Sequence, residues 1–142
     1  FGAFDMIMLN DVIEHLSFSP LPLLQACMHN LLPGGILLVN VPSAVNLKKR
    51  IKCLFGRSIY PPAEQFFEWQ GPFRGHIREY TFYDCKYLAC RLDTAENFII
   101  SSKSYMLGAI PPLARSGFRL LSFVFPSFQD SWQLLVKARS SL

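Results

Sequence analysis

Three small groups of residues in this sequence have types and spacing suited to chemistry. Asn10 and Asp11 end a short apolar run, Glu14 and His15 sit side by side just beyond it, and His76, Arg78 and Tyr80 alternate in the segment Gly75–Thr81. Asn and Asp at the end of a strand offer backbone and side-chain groups to a ligand, although the same residue types also cap turns. A carboxylate next to an imidazole is the material of acid–base catalysis, with His15 the candidate base. Neighbours on a helical turn point in different directions, however, so Glu14 and His15 need not cooperate. In an extended segment His76, Arg78 and Tyr80 share one face and are candidate substrate contacts; the alternative is a surface strand leading into the next helix.

The elements that must position these residues follow from the pattern of apolar runs and breakers. Phe4 to Leu9 is apolar apart from Asp5 and lacks clean alternation, as a strand buried on both faces does. Ser19 and Pro20 read as the N-cap and first residue of a helix. Leu24, Met28 and Leu31, with Cys27 beside them, form its apolar face, and Leu32-Pro33-Gly34-Gly35 is expected to stop it. Ile36 to Val41 is a second buried-strand pattern, ended by Pro42. Strand, helix and strand within roughly 40 residues make a βαβ unit, so the two strands should be parallel.

Asn46 is expected to cap a short helix with Leu47, Ile51, Leu54 and Phe55 on one face, Lys48, Lys49 and Lys52 on the other, and Gly56 at its end. Arg57 to Tyr80 has no periodicity and reads as a long loop, of the kind that often binds ligands. Phe66, Phe67, Trp69 and Phe73 within it are candidates for an apolar lid or for ordinary packing. Thr81 with Asp84 resembles a capping box before a helix faced by Cys85, Leu88, Ala89 and Leu92. Asn97–Ser101 and Trp132–Ala138 read as strands. Met106–Arg119 is ambiguous, broken by Pro111-Pro112 and Gly117, and Leu120–Phe128 reads as strand-like or as a cover over the sheet.

Composition narrows the class. The chain has 142 residues, of which 51% are hydrophobic and 14% aromatic, which suits a globular protein and argues against disorder. A net charge of +4 spread along the chain does not point to nucleic acid. The one basic cluster, Lys48, Lys49, Arg50 and Lys52, reads as a solvated helix face, with contact to an anionic substrate or a membrane surface as the sharper alternative. Cys27, Cys53, Cys85 and Cys90 form no CxxC pair and show no zinc-ligand spacing with His15, His29 or His76. Free thiols in a reducing, cytoplasmic setting and no metal are therefore expected. No transmembrane run and no secretory signal stand out. The opening Phe1-Gly2-Ala3-Phe4-Asp5 runs straight into a strand, as the interior of a longer domain would.

Three stretches together resemble class I S-adenosylmethionine-dependent methyltransferases. They are Phe4-Asp5-Met6-Ile7 leading to Glu14-His15-Leu16, then Leu31-Leu32-Pro33-Gly34-Gly35 running into Ile36–Val39, then Gly75-His76-Ile77-Arg78-Glu79-Tyr80-Thr81. The resemblance implies the carboxyl-terminal part of a doubly wound, Rossmann-like α/β sheet: strands four to seven, the last antiparallel, with the first three missing upstream. The glycine-rich cofactor loop and the acidic residue for the ribose belong to those missing strands. Gly34-Gly35 is no substitute, because it precedes a strand instead of joining a strand to a helix.

The resemblance further implies that Asn10, Asp11, Val12 and His15 line the S-adenosylmethionine pocket. It implies methyl transfer to a small-molecule or lipid-like acceptor contacted by His76, Arg78 and Tyr80, residues 57–80 as a substrate-side lid and 103–130 as a variable cover. All of 1–142 then forms one partial domain, inactive alone. The competing expectation is a truncated, non-catalytic binding module, and a weaker one is another doubly wound enzyme that binds a nucleotide.

Overall fold

The first apolar run forms β1 (Phe4–Asn10) and the second forms β2 (Leu31–Pro42); they pair in parallel, Ile7 against Leu37 and Leu9 against Val39. The computed structural model describes residues 3–71, 75–104 and 112–140. Between the two strands α1 (Leu21–His29) turns Leu24 and Met28 into the core. Its start differs slightly from expectation: Pro20 holds the N-cap position, and the Ser19 hydroxyl accepts the Leu21 N–H at 3.3 Å.

The larger difference is that β2 begins at Leu31, not Ile36, and runs through Pro33-Gly34-Gly35. The ladder shifts register opposite Phe4–Met6, and Gly34 takes a φ of +79°. An irregularity of this kind absorbs a proline that an even ladder would reject. Gly35 is required by a close approach. A β-carbon there would lie 2.9 Å from the Leu32 carbonyl oxygen and 3.1 Å from those of Phe4 and Asp5.

The sheet has the order β1-β2-β4-β3, with β3 spanning Ala95–Lys103 and β4 spanning Ser131–Ala138. β4 lies between β2 and β3 and is antiparallel to both. One face of the sheet carries Leu37, Val39, Val41, Trp132, Leu134 and Val136, all buried. They pack with Leu24 and Met28 of α1 and with Cys85, Leu88 and Ala89 of α4 (Phe82–Cys90). Each such aliphatic side chain contributes about 1.5–3 kcal/mol on burial. The opposite face is different. Register aligns Met6 with Ile36, Met8 with Leu38, and Leu38 and Ile99 with Leu135. Met6 and Met8 are each 50% exposed and Ile99 63%.

Two further helices depart from expectation. In α2 (Leu47–Leu54), Asn46 caps as foreseen, accepting from the Lys49 N–H at 2.9 Å, and Gly56 takes a positive φ beyond its end. Its expected apolar face is not buried, however. The Lys49 ammonium binds the Ser43 carbonyl and Glu79, and Arg50 binds the Val45 carbonyl and lies over the Phe128 ring, while Ile51, Leu54 and Phe55 stay exposed. The second is α5 (Pro112–Val124), a helix where no amphipathic helix was foreseen. Pro112 stands at its head, where a missing N–H costs nothing, and residues 105–111, including Pro111, lie outside the described residues. The segment 57–80 also holds a five-residue helix, α3 (Ala63–Phe67). The Thr81–Asp84 capping box that opens α4 is present as expected.

Candidate functional site

At the carboxyl end of β1 the backbone turns sharply. Asp11 has a φ of +51°, the one positive value among the described non-glycine residues, and its N–H donates to the Asn40 carbonyl at 3.1 Å. A left-handed aspartate costs backbone energy and marks a constrained position. Asn10, Asn40 and Gln133 sit opposite one another on neighbouring strands. Their amides form a chain: Gln133 Nε2 donates to Asn40 Oδ1 at 2.9 Å, and Asn40 Nδ2 donates to Asn10 Oδ1. Asn10 and Asp11 are exposed and Val12 half-buried, so this rim is accessible. Asn40 and Gln133 were not singled out from sequence. The available signal was a lone amide inside the apolar run Ile36–Val41.

Beyond the rim, Ile13–His15 makes one tight 3-10 turn with Ile13 and Glu14 buried and His15 exposed. A distant segment folds back onto it. The Glu14 carbonyl oxygen accepts the N–H of Ile77 at 2.7 Å and of Arg78 at 3.2 Å. Tyr80 then joins the end of β2, its N–H donating to the Pro42 carbonyl at 3.2 Å and its carbonyl accepting from Ala44 at 2.9 Å. These bonds bring His76 beside His15, with ring centroids 4.9 Å apart in an edge-to-face arrangement.

The side chains of Glu14 and His15 approach each other within this turn. His15 Nε2 lies 3.9 Å from Glu14 Oε1. The Glu14 side chain is fully buried, and neither carboxylate oxygen has a hydrogen bond among the described residues. Burial pushes its carboxyl above the ordinary carboxylate range, with the charge of Asp11 adding to the effect and its own backbone, His15 and His76 opposing it. His15 Nδ1 is 3.2 Å from the Gly75 carbonyl oxygen, and His76 Nδ1 is 3.1 Å from Glu79 Oε1. Both partners only accept, so each Nδ1 is placed to donate, and the neutral tautomer that makes these bonds has its lone pair on Nε2.

The alternation of His76, Arg78 and Tyr80 does not place all three on one face. Tyr80 points inward, 3% exposed, with its hydroxyl donating to the Ile13 carbonyl at 3.2 Å. His76 and Arg78 line an open cleft of about 880 Å³, together with Lys52, Tyr60, Pro61 and Pro62. Arg78 also pairs with Asp84 at 2.8 Å. Phe66, Phe67 and Trp69 are exposed and do not figure in the cleft's described lining, and Phe73 lies outside the described residues. The four cysteines are free. Burial, with the charge of Asp84 adding to it, pushes the Cys85 thiol up to about 12, which removes it as a nucleophile.

No family model matches the chain, and no curated protein does. Solved structures do. A SAM-dependent methyltransferase from Archaeoglobus fulgidus is 11% identical, with a TM-score of 0.46 over 95% of this chain and 59% of its own. Phosphoethanolamine N-methyltransferase 2 of Haemonchus contortus is 13% identical, with a TM-score of 0.42 over 97% of this chain and 34% of its own. It was solved with S-adenosylmethionine, and again with phosphomonomethylethanolamine and S-adenosylhomocysteine. The chain thus spans about three-fifths of the first of these proteins and about one-third of the second.

Proposed function

We propose that this chain is part of an S-adenosylmethionine-dependent methyltransferase domain and that its β1 rim lines the methionine side of the cofactor. The observation that carries the reading is the parallel β1–α1–β2 unit with Asn10 and Asp11 at its carboxyl rim, where open α/β sheets bind their ligands. In this reading β1 to β4 correspond to strands four to seven of the family, and the antiparallel β4 agrees with that assignment.

The bound cofactor supplies an electrophilic methyl group. The chain's own residues supply position. Asn10, Asp11, Val12 and His15 hold one side of the cofactor; the ribose-holding acid and the glycine loop are expected in sequence preceding β1. The acceptor, a small molecule or a lipid-like one, enters the cleft beside His76 and Arg78, whose lining carries both signs of charge, Lys52 and Arg78 with Glu79 and Asp84. Alignment of acceptor and methyl is a large part of what such a transfer needs. The described part of 57–80, with Tyr60, Pro61 and Pro62 in the cleft lining, is the substrate-side lid of this reading, and the described part of 103–130 its variable cover. Four free cysteines agree with a reducing, cytoplasmic setting. No helix among the described residues is long and apolar enough to cross a membrane.

The test is calorimetric titration of the full-length protein that carries these residues with S-adenosylmethionine, S-adenosylhomocysteine and NAD. Saturable binding of the first two is expected, with Asp11→Ala weakening it about ten-fold or more, equivalent to roughly 1.4 kcal/mol. Residues 1–142 alone should show no methyl transfer. Binding of NAD in their place, or of none of the three, would overturn the reading, and the latter result would leave a non-catalytic interaction module.

A further inference from the structure

We propose that Glu14, His15 and His76 form a binding site for a divalent transition-metal ion of the zinc type. One ligand atom from each of the three lies within 4.8 Å of the others. The inference does not depend on the methyl-transfer reading.

The buried carboxylate is the first reason. Glu14 is sealed from solvent, and neither of its oxygens accepts a hydrogen bond among the described residues. A buried carboxylate without partners is costly, and proteins compensate it by pairing or by a metal ion. His15 at 3.9 Å is too far to compensate it by hydrogen bonding.

The orientation of the two imidazoles is the second. Ligating histidines characteristically donate their other ring N–H to a carbonyl or a carboxylate, which fixes the tautomer and aims the lone pair. Both arrangements occur here. The Gly75 carbonyl holds His15 Nδ1–H, and Glu79 Oε1 holds His76 Nδ1–H. Glu79 is itself anchored through its other oxygen by Lys49. Bonds of the kind that support a metal site thus surround a carboxylate that accepts no hydrogen bond among the described residues.

Two imidazole nitrogens and one carboxylate oxygen are the donor set of open zinc sites, with bonds of about 2.0–2.2 Å. Tetrahedral donors around such an ion stand about 3.3 Å apart, so the side chains need to close by only a fraction of an ångström to an ångström and a half. Three protein ligands leave at least one position open. Because His76 also lines the cleft, an oxygen donor of a molecule bound there can complete the shell. Sequence spacing gave no hint of this site. Two ligands are adjacent, the third is brought in by the 75–80 segment, and no cysteine takes part.

The test is a titration of the chelator-stripped full-length protein that carries these residues with Zn2+ against a chromophoric chelator. It is run on a Cys53→Ser, Cys90→Ser background, because those two exposed thiols also take zinc. One ion per chain is expected. His15→Ala and His76→Ala should each weaken binding by at least about a hundred-fold, and Glu79→Gln by about ten-fold. Co2+ should give the visible bands of a tetrahedral nitrogen–oxygen site without thiolate charge transfer. Zn2+ should raise the melting temperature of the background chain but not of His76→Ala, whose half-exposed side chain can be removed without unfolding the protein. Folded chain that takes up no Zn2+, or His76→Ala and His15→Ala variants that bind it as tightly as the parent, would overturn the proposal.

Discussion

The buried hydroxyl of Tyr80 donates to the carbonyl oxygen of Ile13 at 3.2 Å, tying the strand-like segment before α4 to the turn that follows β1. The bond links two parts of the chain that converge at the candidate site. Tyr80→Phe keeps the ring and leaves the Ile13 carbonyl without this donor. The expected loss is about 1–2 kcal/mol, which calorimetry would register as a melting temperature lower by roughly 3–8 °C. An unchanged melting curve would show that the bond adds nothing.

Among Gly34, Gly35, Gly56, Gly71 and Gly117, Gly35 should be the least tolerant of a side chain. The atoms a β-carbon would meet are all backbone carbonyl oxygens, of Leu32, Phe4 and Asp5, and cannot rotate aside. Gly35→Ala is expected to cost on the order of 2–3 kcal/mol, as overpacking does. Gly71→Ala, with nothing within 4 Å, should cost only what its positive φ demands. Chemical denaturation of the two variants side by side checks the contrast.

The exposed face of the sheet predicts self-association. Met6, Met8 and Ile99 stand beside the half-buried Ile36, Leu38 and Leu135, and β1 lies at the edge of the sheet. Apolar edges and faces of this kind pair with other chains. Sedimentation should find residues 1–142 oligomeric or aggregating, and Met8→Glu should shift them toward monomer. A monomer that melts cooperatively would contradict this.

The capping box of α4 should make stability fall in acid. Burial pushes the Asp84 carboxyl up, but hydrogen bonds from the Thr81 side chain and backbone and from Arg78 outweigh it and hold the group below its ordinary 3.8. A depressed carboxyl stabilises the fold above its unfolded value and loses that contribution as pH falls through the folded one. Thr81→Ala is expected to cost about 1 kcal/mol near neutrality and to flatten the fall in stability below pH about 4. Urea midpoints measured from pH 6 to pH 3 would reveal it.

The β1–α1–β2 unit was legible because unbroken apolar runs, a Ser-Pro start and a Pro42 stop all agree on it. The start of β2 was not, because Pro33-Gly34-Gly35 reads locally as a breaker; only the pairing with β1 turns it into a bulged strand. α5 was hidden for a related reason. Gly117 lowers helix propensity by about 1 kcal/mol relative to Ala, and Pro112 reads as a break until it is seen to stand at a helix head. At the site, Asn10, Asp11 and His15 stand out by residue type. Glu14 and His76 are brought near each other only through the hydrogen bonds of Ile77 and Arg78 to the Glu14 carbonyl, and those are contacts between distant parts of the chain. The inward turn of Tyr80 is likewise a tertiary decision, invisible to a period-two pattern.

The position of β4 also governs the order in which this protein can be built. β2 and β3 share no ladder; each is bonded to β4, which is made after both. On the ribosome, β3 and α4 therefore wait without a sheet to join until Ser131–Ala138 has been synthesised. Such closure by distant pairing slows folding and leaves apolar strands uncovered in the meantime, the interval in which a chaperone has most to protect.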